Sequence, residues 1–175
     1  MLANGGGGVD GAELAQSFID AAERLRPRRG GTWLLVTGPM LDTATHERLS
    51  RTGEAAGLLV RRMLPELRAH VALADCVVSM AGYNTCCDLL TFARPSVLVP
   101  RRGPSREQTI RADRLAEWGV ASALPAEQAD AEHLAEAVAT ALDGPLPSPA
   151  PVPLAGLDTA VQTFTLALSE ARALV

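Results

Sequence analysis

The sequence has no lysine, because arginine accounts for all 16 basic residues among its 175. A Walker-type phosphate loop and a Schiff-base enzyme each need a lysine amine, so both classes are excluded. The formal net charge is −4, which argues against broad nucleic-acid binding, since that requires an extended basic surface. Any basic chemistry must therefore be local.

Cysteine and histidine are also scarce, and neither is spaced as metal ligands usually are. There is no Cys-x-x-Cys pair, and the histidines are scattered along the chain. We therefore expect no metal, no bound cofactor and three reduced thiols, as in a cytosolic protein. The residues concerned are Cys76, Cys86, Cys87, His46, His70 and His133.

Long apolar runs are absent as well. A membrane-spanning helix needs roughly 18 to 20 apolar residues, and no run in the sequence approaches that length. The amino terminus is rich in glycine and lacks the charged-then-apolar pattern of a secretion signal. These features predict a soluble, cytoplasmic protein.

What the sequence does contain is an alternation of short apolar runs with segments of helical periodicity. Leu14, Phe18 and Leu25, for example, lie at helical spacing after the first run. The alternation predicts a Rossmann-like α/β fold of three layers, with a six-stranded parallel sheet between helices. The predicted strands are Leu2 to Asn4, Thr32 to Thr37, Leu58 to Val60, Cys76 to Ser79, Ser96 to Pro100 and Val120 to Leu124.

The predicted organisation is a folded domain at 1–143, a proline-rich connector at 144–153 and a closing amphipathic helix at 154–175. The connector carries five prolines, which stop a helix and stiffen the chain. The closing helix has an apolar stripe that would pack either on the domain's own sheet or on another domain. The predicted first strand is short and begins at the second residue of the sequence. We interpret this as a sign that an upstream domain is missing. Whether Met1 is a natural start is left open.

Three loops after predicted strands carry candidate binding residues, and the first is a glycine run. Gly5, Gly6, Gly7 and Gly8 follow the first strand and precede a helix. Glycines let a backbone approach a ligand, and amides at a helix start favour an anion such as pyrophosphate. The glycines alone are a weak signal, and a flexible turn is an equal alternative.

The second loop follows the fourth strand and contains Ser79, Gly82, Tyr83, Asn84 and Thr85. Asn84 and Thr85 fall in the first turn of a predicted helix, where they either donate to phosphate oxygens or only cap the helix. Asp88 shares their helix face. An acid beside an anion site indicates hydroxyl partners, such as the diol of a ribose.

The third loop follows the fifth strand and contains a local basic patch. Its arginines are Arg101, Arg102, Arg106, Arg111 and Arg114. They suit a phosphorylated ligand, although a solvated helix face is the simpler interpretation for Arg111 and Arg114. Glu107 and Gln108 begin a helix, where they would hold sugar hydroxyls or, for Glu107, only complement the helix dipole.

All three loops emerge at the sheet edge where α/β proteins bind their ligands. Two phosphate-type turns, an acid suited to a diol and a Glu-Gln pair suited to a sugar lie together there. This combination favours a nucleotide sugar as the ligand.

The segment from Ala74 to Ala112 resembles the carboxyl-terminal domain of glycosyltransferase family 28, and the register holds without gaps from Glu66. The closer resemblance, carried by Gly82 to Thr85, Pro100-Arg101 and Arg106 to Ala112, is to a group of bacterial predicted glycosyltransferases of largely unassigned substrate. The positions that carry the family resemblance are Ala74, Asp75, Ser79, Gly82, Thr85, Asp88, Pro95, Pro100, Gln108 and Ala112.

The resemblance implies a GT-B enzyme of two Rossmann-like halves, of which this chain is the donor-binding half. The glycine loop and Gly82 to Thr85 would hold the diphosphate of a UDP-sugar or related donor, and Asp88 the ribose. Glu107 and Gln108 would hold the sugar, and the backbone of Leu64 would meet the base. Asp88 replaces a longer glutamate, Glu107 replaces a glutamine, and glycines replace a hydroxyl in the first loop, so base and sugar are not carried over.

The same resemblance implies that the whole enzyme transfers a hexosyl group to a hydroxyl acceptor. Its general base is expected in an amino-terminal half, present in cis or on a partner chain, and any membrane association only through that half. The isolated chain is then expected to bind donor without transferring it. Alternatives are a donor-binding subunit with a separate partner, a sugar-nucleotide epimerase and a dinucleotide-dependent dehydrogenase.

Overall fold

The computed structural model of the protein describes residues 1–7, 10–147, 152, 154 and 156–173. Strands and helices alternate along this part of the chain, as the apolar pattern predicts. The strands are β1 Leu2–Asn4, β2 Leu34–Val36, β3 Leu59–Arg61, β4 Val77–Ser79, β5 Ser96–Leu98 and β6 Ser122–Ala123. The helices are α1 Ala12–Arg29, α2 Thr43–Ala55, α3 Leu67–Leu73, α4 Tyr83–Phe92, α5 Glu107–Glu117, α6 Ala131–Asp143 and α7 Gly156–Ala173, with a 3₁₀ turn at Ala126–Gln128.

The six strands form one parallel sheet in the order β3-β2-β1-β4-β5-β6. β1 and β4 are neighbours, and the chain moves outward from them in opposite directions. In such doubly wound sheets, a crevice opens between the loops that leave the two central strands at their carboxyl ends. The topology therefore places the loops after β1 and β4 side by side.

Successive residues of each strand contribute to opposite layers of the core. Ala3, Val78 and Val97 pack beneath α1, α2 and α6, with Phe18 of α1 fully buried among them. Leu2, Val77 and Leu98 pack beneath α3, α4 and α5 on the other face, where Leu89 of α4 is fully buried. Because both faces of the sheet are covered, the strands read as continuous apolar runs.

The predicted α/β fold is confirmed. β1 has the predicted bounds and β3 begins one residue later than predicted, whereas β2, β4, β5 and β6 are shorter than the apolar runs that indicated them. The runs overshoot because Thr37 and Val99 are buried just beyond the strands, in the loops that begin there. The shortness of β1 carries no special meaning, because β2, β3, β4 and β5 also have three residues each.

Helix α7 lies apart from the core in the described chain. The side chains of Leu157, Val161, Phe164 and Leu168 are all more than half exposed. The stripe predicted on this helix therefore does not pack on the domain's own sheet. The connector 144–153 lies only partly within the described residues, and α6 ends just before it at Asp143.

The three cysteines are unpaired. Burial raises the pKa of Cys76 to about 12 and that of Cys86 to about 11. Both remain protonated thiols at neutral pH and are poor nucleophiles. Separately, none of the described helices combines the length and the apolar composition needed to cross a membrane.

We expect Phe18→Ala to lower the free energy of unfolding by about 3–5 kcal/mol, because it removes a fully buried ring and leaves a cavity. The ring also contacts Trp33, with 5.7 Å between ring centres. Chemical denaturation monitored by circular dichroism measures the change. Leu73→Ala is the control, because Leu73 is 82% exposed and its loss should cost no more than about 0.5 kcal/mol. Equal losses in the two variants would contradict the described core.

Candidate functional site

The start of α4 is the strongest candidate for an anion site in the described chain. Gly82 precedes the helix with extended backbone and without a side-chain cap. The first hydrogen bond of the helix runs from the amide of Cys86 to the carbonyl of Gly82 at 3.0 Å. The amides of Tyr83, Asn84 and Thr85 precede that bond and have no partner within the helix. They form a positive helix end suited to phosphate oxygens.

A buried hydrogen bond ties this helix start to the loop after β1. Nδ2 of Asn4, the last residue of β1, donates to Oγ1 of Thr85 at 3.3 Å. Both residues are buried. Because a hydroxyl both donates and accepts, Thr85 still has its proton to offer a ligand. Asn4 therefore fixes the two loops relative to each other, a role that the sequence analysis did not assign to it.

The glycine loop packs closely against its neighbours at Gly5 and Gly11. The amide of Gly5 donates to the carbonyl of Val36 at 3.1 Å, and the amide of Gly6 donates to Oδ1 of Asn4 at 2.9 Å. A Cβ on Gly5 would lie 3.2 Å from the carbonyl oxygen of Thr37, and one on Gly11 would lie 3.1 Å from Cα of Gly5. Gly5 and Gly11 are thus required where the loop meets the start of α1.

The remaining glycines of that loop differ in their surroundings. Gly6 has φ of +65°, a conformation that favours glycine. A Cβ on Gly7 would meet nothing within 4 Å, so this position is open to a ligand. Gly8, which we also predicted to contact the donor, lies outside the described residues.

Asp88 lies one helical turn along α4 and pairs with Arg68 of α3. Arg68 Nε and Asp88 Oδ1 are 3.2 Å apart, and the Asp88 side chain is 19% exposed. Burial raises the pKa of Asp88, and the charge of Arg68 opposes that rise. The Arg68 guanidinium also lies 5.3 Å from the centre of the Phe92 ring. The carboxylate is therefore accessible and ionisable, with Oδ2 left for other partners.

Leu64 lies in the loop between β3 and α3, on the same side of the sheet as α4. Its side chain is half-buried and packs against the core beneath α3, α4 and α5. Ser79, at the end of β4, is fully buried, and its carbonyl accepts from the amide of Val99 at 2.8 Å. Ser79 thus belongs to the sheet, whereas the exposed Tyr83 and Asn84 face outward.

The loop after β5 is held by its own side chains. The amide of Arg101 donates to Oε1 of Gln108 at 3.0 Å, and Nη1 of Arg101 donates to Oδ2 of Asp10 at 2.9 Å. The Gln108 side chain keeps its amide donors free for a ligand. Arg106 directly precedes α5 and is exposed. Arg101 therefore connects the third loop to the first.

The surroundings of Arg111 differ from the simpler interpretation of its sequence position. A solvated helix face is the simpler interpretation of Arg111 from the sequence, but its side chain is only 20% exposed and pairs with the Glu107 carboxylate one turn earlier. Its Nη1 also donates to the carbonyl of Ala81 at 2.6 Å. Arg114 does lie on a solvated face, where it pairs with Glu117.

A cleft of about 510 Å³ lies beside the β5 loop. It lies between the start of α1 and the 3₁₀ turn. Among the described residues that we predicted to bind the donor, Arg101 alone lines this cleft. Its lining includes the acids Asp10, Glu13, Glu127 and Asp130. None of the described residues of the α4 start, nor Asp88, lines this cleft.

Comparison with known proteins identifies the family. The model of the glycosyltransferase family 28 C-terminal domain matches residues 6–151. The chain belongs to this family.

Curated relatives of the family 28 chain share a single description. One, from Chromohalobacter salexigens, is named UDP-N-acetylglucosamine–N-acetylmuramyl-(pentapeptide) pyrophosphoryl-undecaprenol N-acetylglucosamine transferase, and it is 35% identical over 58% of this chain and 28% of its own length. Its namesake from Brucella anthropi is 29% identical over 79% of this chain and 38% of its own length. The chain thus spans well under half of these relatives.

Solved structures agree on the fold of this family 28 domain. MurG of Acinetobacter baumannii superposes with a TM-score of 0.62 at 21% identity, over 82% of this chain and 41% of that one. The calicheamicin glycosyltransferase CalG4 gives a TM-score of 0.59 at 21% identity, over 81% and 34%. These likenesses confirm the predicted Rossmann-like half of a GT-B fold. The family match and the curated relatives do not favour the epimerase alternative.

We expect the carboxyl of Asp88 to titrate above the ordinary pKa of aspartate, 3.8, because burial disfavours its charged form. Arg68→Ala should raise that pKa further, because the arginine now stabilises the ionised carboxylate. Carboxyl-carbon NMR titration of Asp88 measures both values. Arg51→Ala, a change on the surface of α2, is the control and should leave the Asp88 titration unchanged. A lower pKa in the Arg68 variant would contradict the described ion pair.

Proposed function

We propose that this family 28 domain binds a nucleoside diphosphate sugar as the donor-binding half of a glycosyltransferase. The observation that carries the proposal is the uncapped start of α4, held against the β1 loop by Asn4 and followed by the accessible carboxylate of Asp88. The helix start would take the diphosphate. Asp88 would accept hydrogen bonds from the two ribose hydroxyls, since a carboxylate is an acceptor only.

The other predicted residues fit around that assignment. The nucleoside would extend from the α4 start toward Leu64, whose backbone would meet the base. The sugar would extend toward α5, where Glu107 and the free amide of Gln108 would meet its hydroxyls. Arg101 and Arg106 would add positive charge at the rim. A uracil nucleotide is the first candidate, because the relatives' printed names specify a UDP-sugar donor.

The proposed reaction is transfer of a hexosyl group to a hydroxyl. The acceptor oxygen attacks the anomeric carbon, the bond from that carbon to the diphosphate oxygen breaks, and the nucleoside diphosphate leaves with the bonding electrons. The amides of Tyr83, Asn84 and Thr85 would stabilise the charge that develops on the diphosphate. A general base would take the acceptor proton. We propose that this base comes from an acceptor-binding half, in the same polypeptide or on a partner chain.

The donor assignment is tested by thermal shift with the diphosphates of uridine, guanosine, thymidine, adenosine and cytidine. A ligand at a hundred times its dissociation constant adds about 2.7 kcal/mol of stability, so at least one diphosphate should raise the melting temperature clearly. Asp88→Asn should weaken that ligand by about 1.5–3 kcal/mol, because a charged acceptor is lost. The matched control is Asp113→Asn, an exposed carboxylate on α5.

The same panel includes 2′,3′-dideoxy nucleotides. The unsubstituted chain should bind them about as weakly as the Asp88→Asn variant binds the parent diphosphate, because each change removes one side of the same contact. A flat response to all five diphosphates would overturn the proposed function. Undiminished binding of the dideoxy nucleotides would overturn the role of Asp88.

The chain by itself should bind donor but transfer no sugar. The reason is that the general base and the acceptor site are assigned to the other half. Release of nucleoside diphosphate from UDP-N-acetylglucosamine and UDP-glucose, with and without simple hydroxyl acceptors, measures transfer and hydrolysis together. Acceptor-dependent turnover by the chain alone would place the base within these 175 residues. It would contradict the assignment of the base to the other half.

A further inference from the structure

The side chain of Arg111 joins two parts of the proposed site that are distant along the chain. It projects from the first turns of α5, and its Nη2 donates to the carboxylate of Glu107. Its Nη1 donates to the carbonyl of Ala81, 30 residues earlier, at 2.6 Å. Its guanidinium carbon lies 6.0 Å from the centre of the Tyr83 ring. One mostly buried cation thus contacts α5, the turn before α4 and the first residue of α4.

The turn that Arg111 holds has an unusual conformation. Ala81 has φ of +58° and is fully buried, although residues with a side chain rarely adopt positive φ. Such a backbone persists only where surrounding contacts enforce it. The hydrogen bond from Arg111 to the Ala81 carbonyl is one of those contacts. Ala81 directly precedes Gly82, so its conformation sets the direction in which the α4 amides point.

The charge of Arg111 also affects the pKa of a residue within α4. Its proximity opposes the rise that burial causes in the pKa of Cys86, in the first turn of that helix. A positive charge beneath the helix start adds to the helix dipole, and both favour an anion at the same place. A planar guanidinium is suited to this position, because its two Nη groups reach two acceptors at once in a fixed fork, whereas an ammonium is a single compact donor.

We propose that Arg111 is a positioning residue for the diphosphate: it fixes the Ala81 turn so that the α4 amides face the ligand, and it holds Glu107 beside them. The inference rests on the proposed donor-binding function and adds to it a residue on α5 that acts through α4. Its chemistry predicts an effect on the distal phosphate in particular. The nucleoside and its ribose, held at Leu64 and Asp88, should be affected much less.

The test compares nucleoside diphosphates with the matching monophosphates by calorimetric titration, for the same five bases. The ratio of the two affinities reports what the second phosphate contributes. Arg111→Ala should reduce that ratio about tenfold or more, the size expected for a lost charged hydrogen bond. Arg111→Lys should restore it only in part, because a lysine keeps the charge but not the two-pronged geometry. Arg114→Ala, one turn further along α5, should leave it unchanged.

The outcomes separate the inference from the function on which it rests. If the unsubstituted chain binds no nucleotide, the proposed function falls and this inference with it. If it binds diphosphates and both Arg111 variants keep the full ratio, the inference alone is overturned. A merely structural role predicts equal losses for diphosphate and monophosphate, which also overturns it. If Arg111→Ala does not fold, as circular dichroism would reveal, Arg111→Lys decides: a full ratio refutes the inference and a reduced ratio supports it.

Discussion

The arrangement of the site depends on one buried contact, between the ends of the two central strands. Asn4 ends β1, and its side chain accepts from the amide of Gly6 and donates to Thr85. Leaving such buried groups unpaired costs about 1–3 kcal/mol each, so the side chain has little freedom to turn away. The strand order brings β1 beside β4, and Asn4 converts that adjacency into a fixed distance between two loops. The α4 start is therefore set before any ligand arrives.

Around that fixed centre, the two carboxylates assigned to ligand hydroxyls are each held by an arginine. Arg68 of α3 pairs with Asp88, and Arg111 pairs with Glu107. Arg68 is largely exposed, and exposed ion pairs contribute little stability, about 0–1 kcal/mol. A ribose can therefore share Asp88 with Arg68, or displace it, at small cost. Arg111 differs because it is mostly buried and also bonds the Ala81 carbonyl, so it should stay in place when the ligand binds.

The sequence predicted the sheet, its strands and the starts of α4 and α5, because burial on both faces and turn residues leave clear local patterns. It did not predict the roles of Asn4, Gly11, Arg68 or Arg111, because those roles arise between elements distant along the chain. Periodicity places Arg111 on a face of α5, but only the packing of α5 beside α4 shows that this face is covered. The same limit applies to the glycine loop, where the close contact between Gly5 and Gly11 appears only in the folded chain.

Charge is the reason for assigning the proposed diphosphate to the α4 start and not to the cleft beside α1. Both places have a helix start, and the helix dipole favours an anion at each. In the cleft, however, Asp10 and Glu13 lie at the start of α1, and Asp10 forms an ion pair with Arg101. Glu127 and Asp130 add further negative charge to the lining. At α4, the first turn carries no acid, and Arg111 lies beneath it. The two helix starts offer similar backbone donors at one sheet edge, and the side chains around them are our reason for assigning the proposed diphosphate to α4.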